Sequence, residues 1–229
     1  MLDIENAIVP LENLGFMWTS KRQIEKSLHK KNGMILVTGP TGSGKTTTLY
    51  SMLNYLNTPE KKVITLEDPI EYELAGVVQS EVSEKRGYTY TSGLKALMRQ
   101  DPDIIMIGEI RDIDTANIAA QASLTGHLVL ATLHTKSASE TLERLMNMGM
   151  RGYVLAASID LIIAQRLVRK ICPHCKEEYE ADHDQTEIIK WMMKDIGIEA
   201  VSKAKKEAYK LYRGKGCDAC GHSGYKGRV

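Results

Sequence analysis

Apolar residues along the chain alternate between short runs and helical stripes, and that alternation predicts an α/β protein built on a parallel sheet. Met34 to Thr38, Val63 to Leu66, Ile104 to Ile107 and Leu128 to Thr132 are continuous apolar runs of strand length, the pattern of strands buried on both faces. After the first run, Leu49, Met52, Leu53 and Leu56 recur at i, i+3, i+4 and i+7, one apolar stripe to lay against the sheet. Ahead of it, Ile24 and Leu28 share a helix face, Ser20 and Gln23 read as its capping box, and Gly33 sits where that helix ends. Residues 92 to 99 have the look of a short helix, stopped by Asp101-Pro102-Asp103. Asp114 is placed to cap an alanine-rich helix that runs through Leu124 and ends at Gly126. Residues 139 to 148 form another helix, and 153 to 169 a long one that turns from apolar to basic at Arg166, Arg169 and Lys170. Between Val77 and Tyr90 the mixture of polar and aromatic residues suggests a short hairpin or a loop over the sheet edge.

With 229 residues, the chain can bury one large core, or one core with a satellite. Its 43% hydrophobic and 26% charged residues are ordinary globular usage, which argues against disorder and against a coiled coil. A net charge of only +1 removes the simplest argument for a nucleic-acid groove. Asp3 and Glu5 have no apolar stretch behind them, so the N-terminus does not read as a secretory signal. The most apolar long run, 153 to 164, contains Asp160 and is too short to span a bilayer. A cytoplasmic location is expected, where four cysteines suggest metal or redox chemistry before structural disulfides.

The stretch Gly39-Pro40-Thr41-Gly42-Ser43-Gly44-Lys45-Thr46, followed by Thr47, fits the phosphate-cradling pattern G-x-x-x-x-G-K-[ST] between a strand and a helix. Gly42 and Gly44 can take backbone conformations that point successive N–H groups at phosphate oxygens at a helix N-terminus. Lys45 then reaches the β- and γ-phosphates, and the Thr46 hydroxyl holds Mg²⁺. The chain is therefore expected to bind a nucleoside triphosphate.

Acids gather where strands end. Glu67, Asp68 and Glu71 follow the second run, and ligands of open parallel sheets bind at such carboxyl ends. Glu67 at the tip suits Mg²⁺ or an attacking water, while Asp68 and Glu71 read equally well as acids of a capped turn. A phosphate-loop protein needs a second carboxylate on an adjacent strand; Glu109, after Gly108, is the best candidate. His127 and His134 flank the fourth run. His127 reads as structural, whereas His134 lies on the carboxyl side with Lys45, Glu67 and Glu109, which suits a γ-phosphate contact.

The texture then changes. Cys172-Pro173-His174-Cys175 and Cys217-Asp218-Ala219-Cys220 are two C-x-x-C pairs, each able to supply two corners of a zinc tetrahedron. A thioredoxin-like redox motif, or plain buried cysteines, are the other readings. The insert between the pairs, with Trp191 and Met192, is long enough to hold its own helices. This divides the chain into residues 1 to 168, a phosphate-loop domain, and 169 to 229, a tetracysteine subdomain.

Taken together these motifs resemble the hexameric secretion ATPases: the type II secretion E protein and the type IV pilus extension motors. The resemblance is carried by Gly39 to Thr46, the acidic box Ile64 to Glu71, the motif from Arg99 to Asp112, the histidine box Gly126 to Thr135, Ala164-Gln165-Arg166-Leu167 and the cysteines. It implies a RecA-like phosphate-loop sheet with helices on both faces and a Mg²⁺-dependent ATPase that binds ATP and Zn²⁺. It also implies that Glu67 polarises water, Glu109 supports Mg²⁺ and His134 senses the γ-phosphate; Arg99 and Arg111 match family arginines without an assigned role. In such motors ATP turnover around a homo-hexamer rotates an inner-membrane platform protein, so that pilin-like subunits join a fibre; nucleic acid plays no part. By the same resemblance the chain is a fragment, lacking N-terminal domains that supply trans arginines and the helices after Val229, so weak self-association and slow turnover are expected of it. The competing class is a RecA-like DNA motor or recombinase, which shares the sheet and the loop. A non-catalytic nucleotide sensor on a zinc scaffold is a third.

Overall fold

The computed structural model describes residues 8–16, 18–195 and 209–229. The chain divides into two compact units, Met1–Arg166 and Leu167–Val229. Asp3 and Glu5 lie outside the described residues.

In the first unit the apolar runs become strands β1 (Gly33–Thr38), β2 (Val63–Glu67), β4 (Ile104–Ile107) and β5 (Leu128–Leu133), joined by β3 (Val77–Glu81) and β6 (Ile159–Ala164). They form one six-stranded sheet in the order β3-β2-β4-β5-β1-β6, and every pairing is parallel. Helices α1 (Trp18–Leu28), α2 (Lys45–Leu56), α3 (Tyr90–Leu97), α4 (Ile113–Leu124), α5 (Ala138–Asn147) and α6 (Gly152–Ser158) supply its covering layers. The alternate side chains of each strand sort into two cores. Ile35, Val37, Val63, Met106 and Leu130 pack with Ile24 and Leu28 of α1 and with Leu49, Met52, Leu53 and Leu56 of α2. Met34, Leu36, Ile64, Leu66, Ile105 and Val129 pack on the other face with α3, α4 and Leu145 of α5. Burial on both faces is why these strands read as unbroken apolar runs. Each fully buried leucine or methionine of the α2 stripe is worth about 1.5–3 kcal/mol in removed apolar surface, which anchors the helix that follows the phosphate loop. Ala116, Ala119, Ala120 and Ala122 are all buried, so small side chains let α4 approach the sheet closely. Among the described residues no helix is long and apolar enough to cross a membrane.

Several local expectations are corrected. Helix α1 already starts at Trp18, so Ser20 lies exposed inside its first turns instead of capping it, and Gly33 opens β1 at φ 129° instead of closing a helix. Val77 to Glu81 is a true edge strand in parallel register with β2, Thr65 opposite Gln79. The long helix expected over 153 to 169 is a short helix and then β6, which pairs with β1 through Ile35–Leu161 and Val37–Ile163. A brief apolar run does not distinguish strand from helix; here the open edge of β1 selects the strand for a segment rich in β-branched isoleucine. The cap of α4 is Asp112, not Asp114: its carboxylate accepts from the Thr115 N–H at 2.7 Å and from the Thr115 hydroxyl at 3.0 Å.

The second unit consists of two antiparallel pairs, β7 (Arg169–Ile171) with β10 (Tyr225–Arg228) and β8 (Lys176–Glu180) with β9 (Lys210–Gly214). Helix α7 (His183–Asp195) lies between β8 and β9 in sequence and leaves Trp191 and Met192 exposed. Where the two pairs meet, a Cβ on Gly214 would fall 2.0 Å from the Gly224 carbonyl oxygen, so only glycine allows the backbones this close.

The cap assignment makes a direct prediction: Asp112→Ala should lower unfolding free energy by about 1 kcal/mol, while Ser20→Ala should stay within about 0.5 kcal/mol of the parent, as read by urea denaturation.

Candidate active site and metal centre

The turn from β1 into α2 carries the predicted phosphate loop. Gly44 takes φ 86° at the N-cap of α2, a left-handed conformation that opens the first turn of the helix to an anion. A Cβ at Gly39 would meet Ser43 Oγ at 2.4 Å and the Gln165 carbonyl at 2.6 Å, so the loop is closed against the segment after β6. Thr48 Oγ1 donates to Gln165 Oε1 at 2.8 Å, and the Gln165 N–H donates to the Thr38 carbonyl at 2.8 Å. Lys45 is buried and its ammonium donates to the carbonyls of Gly39 and Pro40 at 3.0 and 3.1 Å, folded back over the loop. Burial pulls its pKa down and the Glu109 carboxylate opposes that. Pro40, Thr41, Gly42 and Thr46 are exposed, Thr47 is half-buried, and the Ser43 hydroxyl is buried without a partner.

Opposite the loop stand the tips of β2, β4 and β5. Glu109 is gripped on both oxygens, by Arg111 Nε at 2.8 Å and by His134 Nε2 at 3.3 Å. Arg111 also reaches Asp68 at 3.2 Å, and its guanidinium lies 5.8 Å from the ring centre of Tyr90. One arginine thus ties the end of β2 to the end of β4. Burial pushes the Tyr90 hydroxyl up to about 12; Arg111 opposes the rise, and Asp68, Glu109 and Glu67 add to it. Glu109 follows β4, which pairs directly with β2, the strand that ends in Glu67, while β5 lies between β4 and β1. It nonetheless comes within electrostatic reach of Lys45.

Glu67 is more enclosed than its place at a strand tip suggests. It is only 3% exposed, and its carboxylate accepts from the Tyr50 hydroxyl, from Thr65 Oγ1 at 2.5 Å and from Gln79 Nε2 at 3.2 Å. Burial, then the bond to Glu67, push the Tyr50 hydroxyl well above the ordinary tyrosine range. The backbone N–H groups of Glu71 and Tyr72 bear on the Tyr50 hydroxyl, and His127 Nδ1–H donates locally to the Ala122 carbonyl at 3.0 Å beside the end of α4.

In the second unit each C-x-x-C bridges the end of one strand to the start of the next, and antiparallel pairing brings the two bridges together. The four sulfurs all lie within 4.8 Å of one another, with 4.0 Å between Cys172 and Cys217, 3.9 Å between Cys175 and Cys220, and 3.8 Å between Cys217 and Cys220. Thiolates about 2.3 Å from a tetrahedral zinc stand about 3.8 Å apart, so the donor set and its spacing fit that ion. The Cys217 N–H, donating at 3.3 Å, pulls the Cys220 thiol down to about 6, and desolvation pushes Cys175 up to about 12. Four sulfurs this close cannot all ionise without a cation among them.

The model of the type II/IV secretion system protein family matches residues 1–229. The chain belongs to that family. It is 46% identical over its whole length to the type II secretion system protein E of Dickeya dadantii and 47% to the type IV pilus assembly ATPase PilB of Pseudomonas aeruginosa. It spans 43% and 38% of those two proteins. Among solved structures, the pilus retraction motor PilT with bound ADP matches with a TM-score of 0.63 and 34% identity, over 85% of this chain and 60% of that one. These findings agree with the phosphate-loop fold expected from the secretion-ATPase resemblance.

Within the secretion-family fold, sequence reasoning passed over Tyr50, Thr65, Gln79, Tyr90, Thr48 and Gln165, all of which touch the residues it picked out. Thr65 and Gln165 alone carried a signal, as parts of the Ile64 to Glu71 box and the Ala164 to Leu167 motif. Tyr50 lies five residues past Lys45 among core positions and Gln79 sits in a stretch read as a short hairpin or a loop, so neither spacing nor polarity set them apart.

Proposed function

We propose that this chain is the ATP-hydrolysing core of a secretion or pilus-assembly motor. The observation that carries the reading is the convergence of the phosphate loop, Glu67, Glu109 and His134 at the carboxyl ends of one parallel sheet. On this reading the loop from Gly39 to Thr47 takes the triphosphate, its backbone N–H groups and Lys45 facing the β- and γ-phosphates. Lys45 exchanges the Gly39 and Pro40 carbonyls for phosphate oxygens, which restores the stabilisation that its buried charge lacks. Thr46 and, through water, Glu109 would hold Mg²⁺, which when bound neutralises charge on the phosphates. Glu67 accepts a proton from the attacking water, and His134, already turned toward Glu109, contacts the γ-phosphate. Arg111 keeps Asp68 and Glu109 from repelling each other before nucleotide arrives.

The type II secretion and type IV pilus relatives support a place in such a machine. The work would be assembly of pilin-like subunits by a cytoplasmic homo-hexamer acting on an inner-membrane platform protein. Cys172, Cys175, Cys217 and Cys220 would hold one Zn²⁺, the ion cross-linking two strand pairs whose own core is small.

Lys45→Ala should abolish detectable ATP binding, whereas Glu67→Gln should keep binding and lose turnover by about a hundredfold or more. Nucleotide affinity and phosphate release measured on both variants separate these roles; parental turnover in Glu67→Gln would move the base elsewhere.

Elemental analysis of protein purified without chelators should find one zinc per chain, and its removal should speed hydrogen exchange in residues 167 to 229 while leaving β1 to β6 protected. Zinc-free protein with an unchanged exchange pattern would contradict the metal site.

A further inference from the structure

The cradle around Glu67 draws on three elements, α2, β2 and β3. Tyr50 comes from the second turn of α2, the helix that begins at Lys45. Thr65 precedes Glu67 by two residues on β2 and so shares its face, and Gln79 sits directly opposite Thr65 on β3. Gln79 itself has no freedom to turn. Its Oε1 accepts from the Leu74 N–H at 2.7 Å, while Nε2 donates to the Tyr72 carbonyl at 3.2 Å as well as to Glu67. The Tyr50 ring is fixed too, with its centre 4.4 Å from that of Tyr72, and it is fully buried.

A carboxylate offers about four acceptor positions, two on each oxygen. Thr65 and Gln79 fill both on Oε1, and Tyr50 fills one on Oε2. One position remains. We infer that Tyr50 and Gln79 are positioning residues for ATP hydrolysis, holding the Glu67 carboxylate in one orientation with a single acceptor position left for the attacking water. The inference rests on the reading of Glu67 as the water-activating base. A buried carboxylate without these donors could rotate about its last bond, and a misplacement on the order of 1 Å can cost about a hundredfold in rate. Because Tyr50 and Lys45 share one helix, the residue that meets phosphate and the residue that aims the base move together.

The test is steady-state ATP turnover and ADP affinity for Tyr50→Phe, which keeps the stacked ring, and for Gln79→Leu, alongside Glu67→Gln. The expected result is a kcat about ten- to a hundredfold below the parent for both positioning variants, with KM and ADP affinity within about twofold. Retained ADP affinity also shows that each variant is folded. Parental kcat in Tyr50→Phe and Gln79→Leu, with Glu67→Gln inactive, would overturn the inference while leaving Glu67 as the base. A parallel loss of ADP affinity and kcat would overturn it as well, by making the two residues supports of the loop. Parental kcat in Glu67→Gln would instead overturn the underlying reading.

Discussion

All six strands of the first unit run the same way, and the site depends on that single constraint. In a parallel sheet every strand delivers its carboxyl end to one edge, so residues far apart in sequence meet there without any long loop to carry them. Lys45 follows β1, Glu67 ends β2, Glu109 follows β4 and His134 follows β5. In-register pairing fixes their relative heights: Leu66 stands opposite Ile107, and Ile107 opposite Ala131. The apolar faces that hold the strands flat against α2 and α4 are thus also what hold the site in shape.

The cost of such convergence is crowded negative charge. Asp68 and Glu109 face each other across two strand tips, with Glu67 behind them, and five hydrogen-bonding side chains answer them. Arg111 bridges Asp68 and Glu109, His134 closes on Glu109, and Tyr50 with Gln79 and Thr65 satisfies Glu67. Exposed ion pairs of this kind add little to stability, so their value here lies in orientation. Lys45 is the exception, a buried ammonium bonded only to two neutral carbonyls, with Glu109 acting on it through space, and a phosphate would meet that charge directly.

Much of this was legible from residue order because parallel strands and glycine loops leave strong local signals. Four of the six strands, helix α2, the phosphate loop and the clustered cysteines could be read directly. The misreadings fall where a local pattern has two physical solutions. Ile159 to Ala164 is as apolar as a buried helix, and only the unpaired edge of β1 makes it a strand. Val77 to Glu81 is half-polar because it lies at the other edge, which hides its period. Asp112 and Asp114 are both plausible caps, and the choice is made by which side chain reaches the Thr115 N–H. Most of the cradle of Glu67 was invisible for a deeper reason: Thr65 shares its strand face and its motif, but Tyr50 and Gln79 touch it only through the packing of α2 and the pairing of β2 with β3, which no short motif encodes.

The most direct test of the account is a crystal structure of the chain with Mg²⁺ and a non-hydrolysable ATP analogue. The β- and γ-phosphates should lie on the backbone N–H groups of Gly42 to Thr46, with Lys45 released from the Gly39 and Pro40 carbonyls and the γ-phosphate facing Glu67, Glu109 and His134. A nucleotide bound elsewhere, or Lys45 still folded back on those two carbonyls beside a bound triphosphate, would contradict it.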